Sequence, residues 1–440
     1  MTKKLVSLIL ALTVLFACQA APAFAEDIQE PELKCKAALL VDTKTDQVIY
    51  EKNSHKKMVP ASLTKMMTCL LVMENLDLDK QVKIPAQATG YHGSAIGLKK
   101  NEVFTVRELL YALMLPSAND AAVALAIEIS GSHLKFVEKM NAKAEEMDLE
   151  NTFYFNANGY TNDKGHHTTA ADLYTIAKEL MKYPEVKEIT KTRVYKLHET
   201  TESGARRLEN TNELLGKKKH YDGIYGIKTG YMGASGYCFV GGAERDGMDL
   251  ICVVLNCETR EDSFEDTVKL FDYGFNNFYT KKLMDKGDKT GNVIVRNGHH
   301  TFVPTETKDG AYITLPTQAD ESVATSKVVF DQGVKAPLKK GTRVGVVEMY
   351  QDGEKVGESE VIVSKSVAKG GPWSALYISD IMFYAGIVVL AALLILLITI
   401  NVRRRKRKEA REARIAEKQA EYERIMKAEK EDKEKRNWPF

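Results

Sequence analysis

Ser62 and Lys65 stand three residues apart in "MVPASLTKMMTCLLVME", where an apolar helical pattern begins. If Ser62 opens that helix, Lys65 lies one turn on and on the same face. A serine hydroxyl is a poor nucleophile without a base in reach, and a lysine whose pKa is lowered by burial and a neighbouring cation can be that base. The positive end of the helix dipole would favour an ionising Ser62 further. The chemistry implied is acyl transfer through a serine ester. The spacing alone is weak, since Ser366 and Lys369 repeat it where no helical or apolar pattern follows.

Two other groups join this pair. Ser117-Ala118-Asn119, in "LMLPSANDAAVALA", is the only S-x-N in the chain. Taken alone it reads as a helix N-cap; in company it is a hydroxyl and an amide offered at a cleft. Lys228-Thr229-Gly230, in "DGIYGIKTGYMGASGYCFVGG", ends a short apolar alternation and leads into a strand. On a strand Lys228 and Gly230 share one face, and the glycine lets backbone approach a ligand closely. The tripeptide recurs as Lys289-Thr290-Gly291 in "DKGDKTGN", which reads as a charged turn. Only the first copy completes an ordered set: S-x-x-K, then S-x-N 55 residues later, then K-T-G 111 residues beyond.

That set is the signature of penicillin-binding proteins and class A β-lactamases. "PASLTKMMT", "ELLYALMLPSANDAAVALAIEISGS", "FYFNANGY", "HHTTAADLYTIAKEL" and "GIKTGYMGASGYCFVGGAERDG" resemble the D-alanyl-D-alanine carboxypeptidases, the low-molecular-mass penicillin-binding proteins, over roughly residues 30–370. The resemblance implies a hydrolase that trims the terminal D-alanine from peptidoglycan stem peptides and is inhibited by β-lactams. It also implies roles. Ser62 would be acylated, with Lys65 its base; Ser117 would relay a proton to the leaving amine; Asn119 would hold the peptide group. Lys228 would supply positive potential and Thr229 would bind the terminal carboxylate, with Gly230 between Thr229 and Tyr231. The N–H groups of Ser62 and Tyr231 would form the oxyanion hole. Two departures stand out. The second motif has Ala118 in its middle, and the family's arginine at the start of the helix after the last strand falls at Ser263, with Arg260 a turn earlier.

The elements that must position these groups follow from periodicity. "CKAALLVDTKTDQVIYEKN" reads as a β-hairpin, helical patterns dominate from about 62 to 190, and "DAAVALAIEISG" closes at Gly131. Strands return at "YGIKTG", "GYCFVGGAER" and "DLICVVLNC", with a helix over 264–278. This order predicts an α+β catalytic domain over 26–284, of the penicillin-binding-protein/β-lactamase kind, in which the hairpin and the last helix pack onto the late strands. Short alternating runs between Gly, Asn and Asp turns predict a small all-β domain over 285–370.

Both ends of the chain concern membranes. Residues 1–25 carry Lys3, Lys4, an apolar run and Ala23-Phe24-Ala25, which is a secretory signal peptide. A competing lipoprotein reading, ending at Cys18, is poorly served by Phe16. Residues 381–402 form an uncharged apolar run long enough to span about 30 Å of hydrocarbon, and "RRRKRK" follows at once. A single-pass protein anchored at its C-terminus is expected, with the catalytic domain extracytoplasmic. The tail, 403–440, would be a solvated helix or disordered.

Composition excludes other classes. Residues 403–440 hold 15 Lys/Arg against 9 Asp/Glu, whereas residues 26–402 hold 45 against 51, so the body is mildly acidic and does not suit nucleic acid. The cysteines lie mostly in apolar runs, as small buried hydrophobes do, although one disulfide is compatible with them. His166-His167 and His299-His300 lack any HExxH pattern, so neither a catalytic metal nor a cofactor is expected. His166 and His167 read as structural. A β-lactamase would share the three motifs but needs a glutamate near the cleft for deacylation, and "NANGYTNDKGHHTTAADL" contains none. A wall-binding protein with a silent site is the other alternative.

Overall fold

The computed structural model describes residues 28–436 except Tyr377 and Ser379. The expected signal peptide and Cys18 therefore lie outside the described residues. Strand β1 (Ala37–Asp42) pairs with β2 (Val48–Lys52) as the expected hairpin. Two short pairs interrupt the helical region, β3 (Gln81–Lys83) with β4 (Val103–Thr105) and β5 (Val194–Leu197) with β6 (Arg206–Glu209). Strands β7 (Ile224–Met232), β8 (Gly236–Arg245) and β9 (Met248–Cys257) complete an antiparallel sheet of order β2-β1-β9-β8-β7.

This sheet is covered on both faces, which is why its central strands read as unbroken apolar runs. Ala37, Leu39 and Val41 of β1 point into one core with Ile251, Val253 and Leu255 of β9. Ala38 and Leu40 point into the other with Leu250, Cys252 and Val254. The first core is filled by α1 (Lys65–Asn75), α2 (Val106–Met114), α3 (Asn119–Ser130), α4 (His133–Glu146), α5 (Ala170–Leu180) and α6 (Pro184–Lys191). The second core packs under α7 (Arg260–Asn277), through Phe264, Leu270 and Phe271. Helix α7 begins a turn earlier than its apolar pattern predicts. Thr259 and Asp262 form a reciprocal capping box there, so polar residues start the helix before the first core contact.

Beyond α7, β10 (Phe278–Met284) pairs with β13 (Ala311–Pro316). Strands β11 (Lys289–Ile294), β12 (Phe302–Thr307), β14 (Ala324–Phe330), β15 (Arg343–Gln351) and β16 (Glu354–Val363) form a sheet of order β11-β12-β16-β15-β14. The second K-T-G thus lies on β11 instead of in a turn; the turn precedes it at Gly287. Two compact units result. One takes in the described residues to Asp285 together with 310–327 and 347–359; the other takes in 286–309, 328–346 and the chain from Glu360 onward. The last helix, α8, runs unbroken from Asp380 to Arg436, so the expected tail is helical as far as Arg436. Its apolar part has a mean hydropathy of 3.0, and it is long and apolar enough to cross a membrane.

Candidate active site

A 3-10 turn, Ala61–Thr64, carries Ser62 directly into α1, whose first residue is Lys65. Ala61 holds a left-handed φ of 48°, which a non-glycine residue adopts only at a cost. The loop above this turn presses close. A Cβ on Gly159, itself at φ 77°, would fall 1.8 Å from the Ala61 carbonyl oxygen, so glycine is required there.

Lys65 is fully buried and its amine meets three oxygens. Nζ lies 3.0 Å from Ser62 Oγ, 2.8 Å from Asn119 Oδ1 and 2.7 Å from the Asn158 carbonyl oxygen. Burial first, and then the Lys228 ammonium, push its pKa well below the usual lysine value. Lys228 is 1% exposed, and burial brings its pKa down to about 7. Among the described residues its Nζ donates to the Thr229 carbonyl alone, 3.1 Å away.

The S-x-N motif is not a side-chain cap. Helix α3 begins at Asn119 with Ala118 as its N-cap residue, and no side chain caps it. Asn119 instead donates from Nδ2 to the His92 carbonyl at 2.9 Å while its Oδ1 faces Lys65. Ser117, 4% exposed and at φ 66°, has a buried Oγ with no hydrogen-bond partner among the described residues. A buried hydroxyl left without a partner needs an explanation, and a substrate group is one.

Strand β7 lies at the edge of its sheet, so one side of its backbone carries no neighbouring strand. Gly230 brings this strand onto the Ser62 turn: a Cβ there would sit 3.1 Å from the Pro60 carbonyl oxygen and 3.3 Å from Leu63. A cleft of about 290 Å³ opens between them, lined by Ser62, Ser117, Thr229, Gly230 and Tyr231 among others. Lys65 and Asn119 reach it through their hydrogen bonds. Tyr231 is half exposed and stacks on Tyr237, their rings 4.2 Å apart. Lys289 of the second tripeptide and Ser366 of the S-x-x-K at 366–369 do not line the cleft.

Residues outside the motifs also take part. Thr211 Oγ1 lies 2.6 Å from Thr229 Oγ1. Arg260, the first residue of α7, lines the cleft and donates to the Thr211 carbonyl at 2.8 Å while pairing with Glu213 at 2.8 Å. An arginine therefore does stand at the helix start, and Ser263, in the first turn, donates to the Arg260 carbonyl. His166 is buried behind the Ser62 turn. Its Nδ1 accepts from Phe155 N–H at 3.1 Å and its Nε2 lies 2.8 Å from Thr64 Oγ1, with burial taking its pKa down to about 4. Among the described residues that line the cleft there is no carboxylate. Cys35, Cys257 and Asp266 bring their ligand atoms within 4.8 Å of one another, but none of the three lines the cleft. The five described cysteines are buried free thiols.

Residues 24–259 match the family model described as D-alanyl-D-alanine carboxypeptidase, and residues 278–369 match that of the penicillin-binding protein 5 C-terminal domain. D-alanyl-D-alanine carboxypeptidase DacF of Bacillus subtilis is 35% identical over 77% of this chain and 87% of its own length. DacC of Escherichia coli, of the same description, is 29% identical over 79% of this chain and 87% of its own. The crystal structure of penicillin binding protein 5 from Haemophilus influenzae superposes with a TM-score of 0.66 at 28% identity, covering 78% of this chain and 99% of that one. With a cleft-lining serine beside a buried lysine at a sheet edge and these relatives across most of its length, the chain belongs to the D-alanyl-D-alanine carboxypeptidase family of serine-type penicillin-binding proteins.

Proposed function

We propose that Ser62 is acylated by the penultimate D-alanine of a peptidoglycan stem peptide, with release of the terminal D-alanine and hydrolysis of the ester by water. The observation that carries this reading is the environment of Lys65. A neutral amine has two hydrogens and one lone pair. Asn119 Oδ1 and the Asn158 carbonyl can only accept, so they take the two hydrogens. The lone pair is left for the third neighbour, the Ser62 hydroxyl. Burial and Lys228 favour that neutral state before substrate arrives. The Ser62 proton passes to Nζ as Oγ attacks the scissile carbonyl. The oxyanion is received by the N–H groups of Ser62 and Tyr231, each worth about 3 kcal/mol in such a position. The Ser117 hydroxyl hands its proton to the leaving amine and takes in exchange the one that Lys65 Nζ received from Ser62. Lys228, Thr229 and Arg260 bind the free carboxylate one residue beyond the scissile bond, while Asn119 holds the peptide group.

Deacylation needs a water without a dedicated carboxylate, so β-lactam adducts should outlast the peptide ester. The ectodomain's activity is read as D-alanine released from a peptide ending in D-Ala-D-Ala, and labelled penicillin with mass spectrometry locates the adduct. Ser62→Ala should abolish labelling and Ser366→Ala should leave it intact. An adduct that survives Ser62→Ala would refute the assignment, and rapid penicillin turnover without D-alanine release would favour a β-lactamase.

The basic run after residue 402 supports an orientation with the C-terminus cytoplasmic and the catalytic domain extracytoplasmic, facing the wall.

A further inference from the structure

The unit that precedes the membrane helix carries an exposed apolar face. A groove of about 560 Å³ is lined by Ile294, Phe302, Phe330 and Val334, and Met382, the third residue of α8, completes its wall. Ile294 and Phe302 are 53% and 59% exposed, and Trp373 and Leu376 add further exposed apolar surface just before the helix. Asp331 also lines the groove, but its carboxylate is paired with Arg343 at 3.0 Å.

The helix is fastened to this unit. Asp380, its first residue, accepts from Gly371 N–H at 3.0 Å and lies 2.7 Å from His299 Nδ1. Trp373 stacks on Phe383 with ring centroids 5.4 Å apart and planes 19° from parallel. The segment leading to the helix is itself held in the domain, because Asn297 N–H donates to the Ser374 carbonyl and Gly370 N–H to the Asn297 carbonyl. Around this exit stand exposed basic residues. Arg296 and Lys335 occupy bridged backbone positions, and Lys369 is bridged to Gly298.

We propose that the face formed by Ile294, Phe302 and Trp373 rests in the headgroup region of the bilayer that α8 crosses, with Arg296, Lys335 and Lys369 against anionic lipid. Two independent features select lipid as the occupant. The groove is continuous with a side chain in the first turn of α8, so its wall meets the start of the segment that enters the bilayer. The flanking charge is basic, which suits an anionic leaflet, since Lys and Arg near such a surface are attracted to it. An aromatic with an apolar body and a polar edge, like Trp373, favours that boundary. The β-rich unit then acts as a second, shallow anchor, and the helix cannot swivel freely beneath it.

Tryptophan quenching tests this, since the chain holds only Trp373 and Trp438. The probe is the full chain in vesicles of phosphatidylethanolamine and phosphatidylglycerol brominated near the headgroup end of the acyl chains. Phe302→Trp, in a background of Trp373→Phe and Trp438→Phe, should lose roughly half its emission and resist aqueous iodide. A tryptophan at position 390 (Leu390→Trp) with tail-brominated lipid reports insertion of the span separately, so failure of the anchor and failure of the face are distinguishable. With the span inserted, emission at position 302 that iodide quenches and bromolipid does not would overturn the proposal. Shielding from both quenchers would also overturn it, pointing to a protein on this face. Replacing phosphatidylglycerol with phosphatidylcholine should weaken the quenching at 302, and indifference to that change would remove the basic residues from the proposal.

Discussion

In the proposed mechanism Lys228 is charged when the substrate carboxylate arrives, yet burial lowers its pKa to about 7. In the free enzyme its charge is therefore lost as pH rises through about 7, and kcat/KM for peptides with a free C-terminus should fall on that side. A bound carboxylate favours the ammonium, so the corresponding limb of kcat should lie at higher pH. Lys228→Arg, always cationic, should flatten the alkaline limb of kcat/KM; a limb that stays in place would assign it to another group. Lys65→Ala should cost several powers of ten in acylation by penicillin, because the hydroxyl loses its base. The S-x-x-K, S-x-N and K-T-G spacings were enough to point to these side chains, since each motif is local and names a reactive group. Asn158 was not legible at all. It offers Lys65 a backbone carbonyl, which every residue type possesses, so no letter marks it. Thr211 was missed for a related reason, as a threonine in a loop acquires meaning only when folding brings it to Thr229.

At the scale of elements, the Ser62 turn is braced from two sides, and each brace can be tested. Gly159 passes so near Ala61 that Gly159→Ala must displace the turn or the loop, beyond the roughly 1–2 kcal/mol that a left-handed φ costs any L-residue. A fall in Tm of several degrees together with loss of penicillin acylation is expected; a variant with native Tm and native acylation would show that the contact is not needed. His166 braces the other side through Thr64. Its pKa is about 4 when folded, mainly from burial with His167 adding, against an ordinary 6.5. Between those values the unfolded chain binds a proton that the folded one refuses. Its stabilising contribution is thus complete above about pH 6.5 and lost as pH falls through about 4. His166→Gln should flatten that part of the stability profile measured by denaturant unfolding. Helix α7 supplies Arg260, and Arg260→Ala should lower kcat/KM about tenfold or more for peptides with a free carboxylate. An amidated peptide should be little affected, and equal losses on both would show that Arg260 does not read the carboxylate. The hairpin pattern and the three late strand patterns made one sheet joining them, with α7 packed on it, foreseeable; that helices cover its other face as well shows only in the fold. The three-residue and four-residue strand pairs β3–β4 and β5–β6 were not foreseeable, because runs so short have no period to read. The start of α7 was misjudged because it is set by Thr259 and Asp262 and not by apolar spacing.

For the molecule as a whole, the orientation of α8 decides whether the catalytic domain can meet its polymer. Residues 381–402 lack charge and are followed by six consecutive basic residues, which resist transfer through the bilayer. An exported body and a retained tail satisfy both conditions at once. The five cysteines among the described residues are buried, so an introduced surface cysteine should be the thiol that an impermeant maleimide finds. Gln318→Cys, exposed in the unit that holds the cleft, should label in intact wall-stripped cells. Ala420→Cys, exposed on the helix beyond the basic run, should label only after the membrane is permeabilised. If Ala420→Cys labels first and Gln318→Cys is protected, the chain is inserted the other way round and the active site faces the cytoplasm. If both label in intact cells, α8 does not span. The expected pattern requires the single crossing and the export of the body together, and neither alone would produce it.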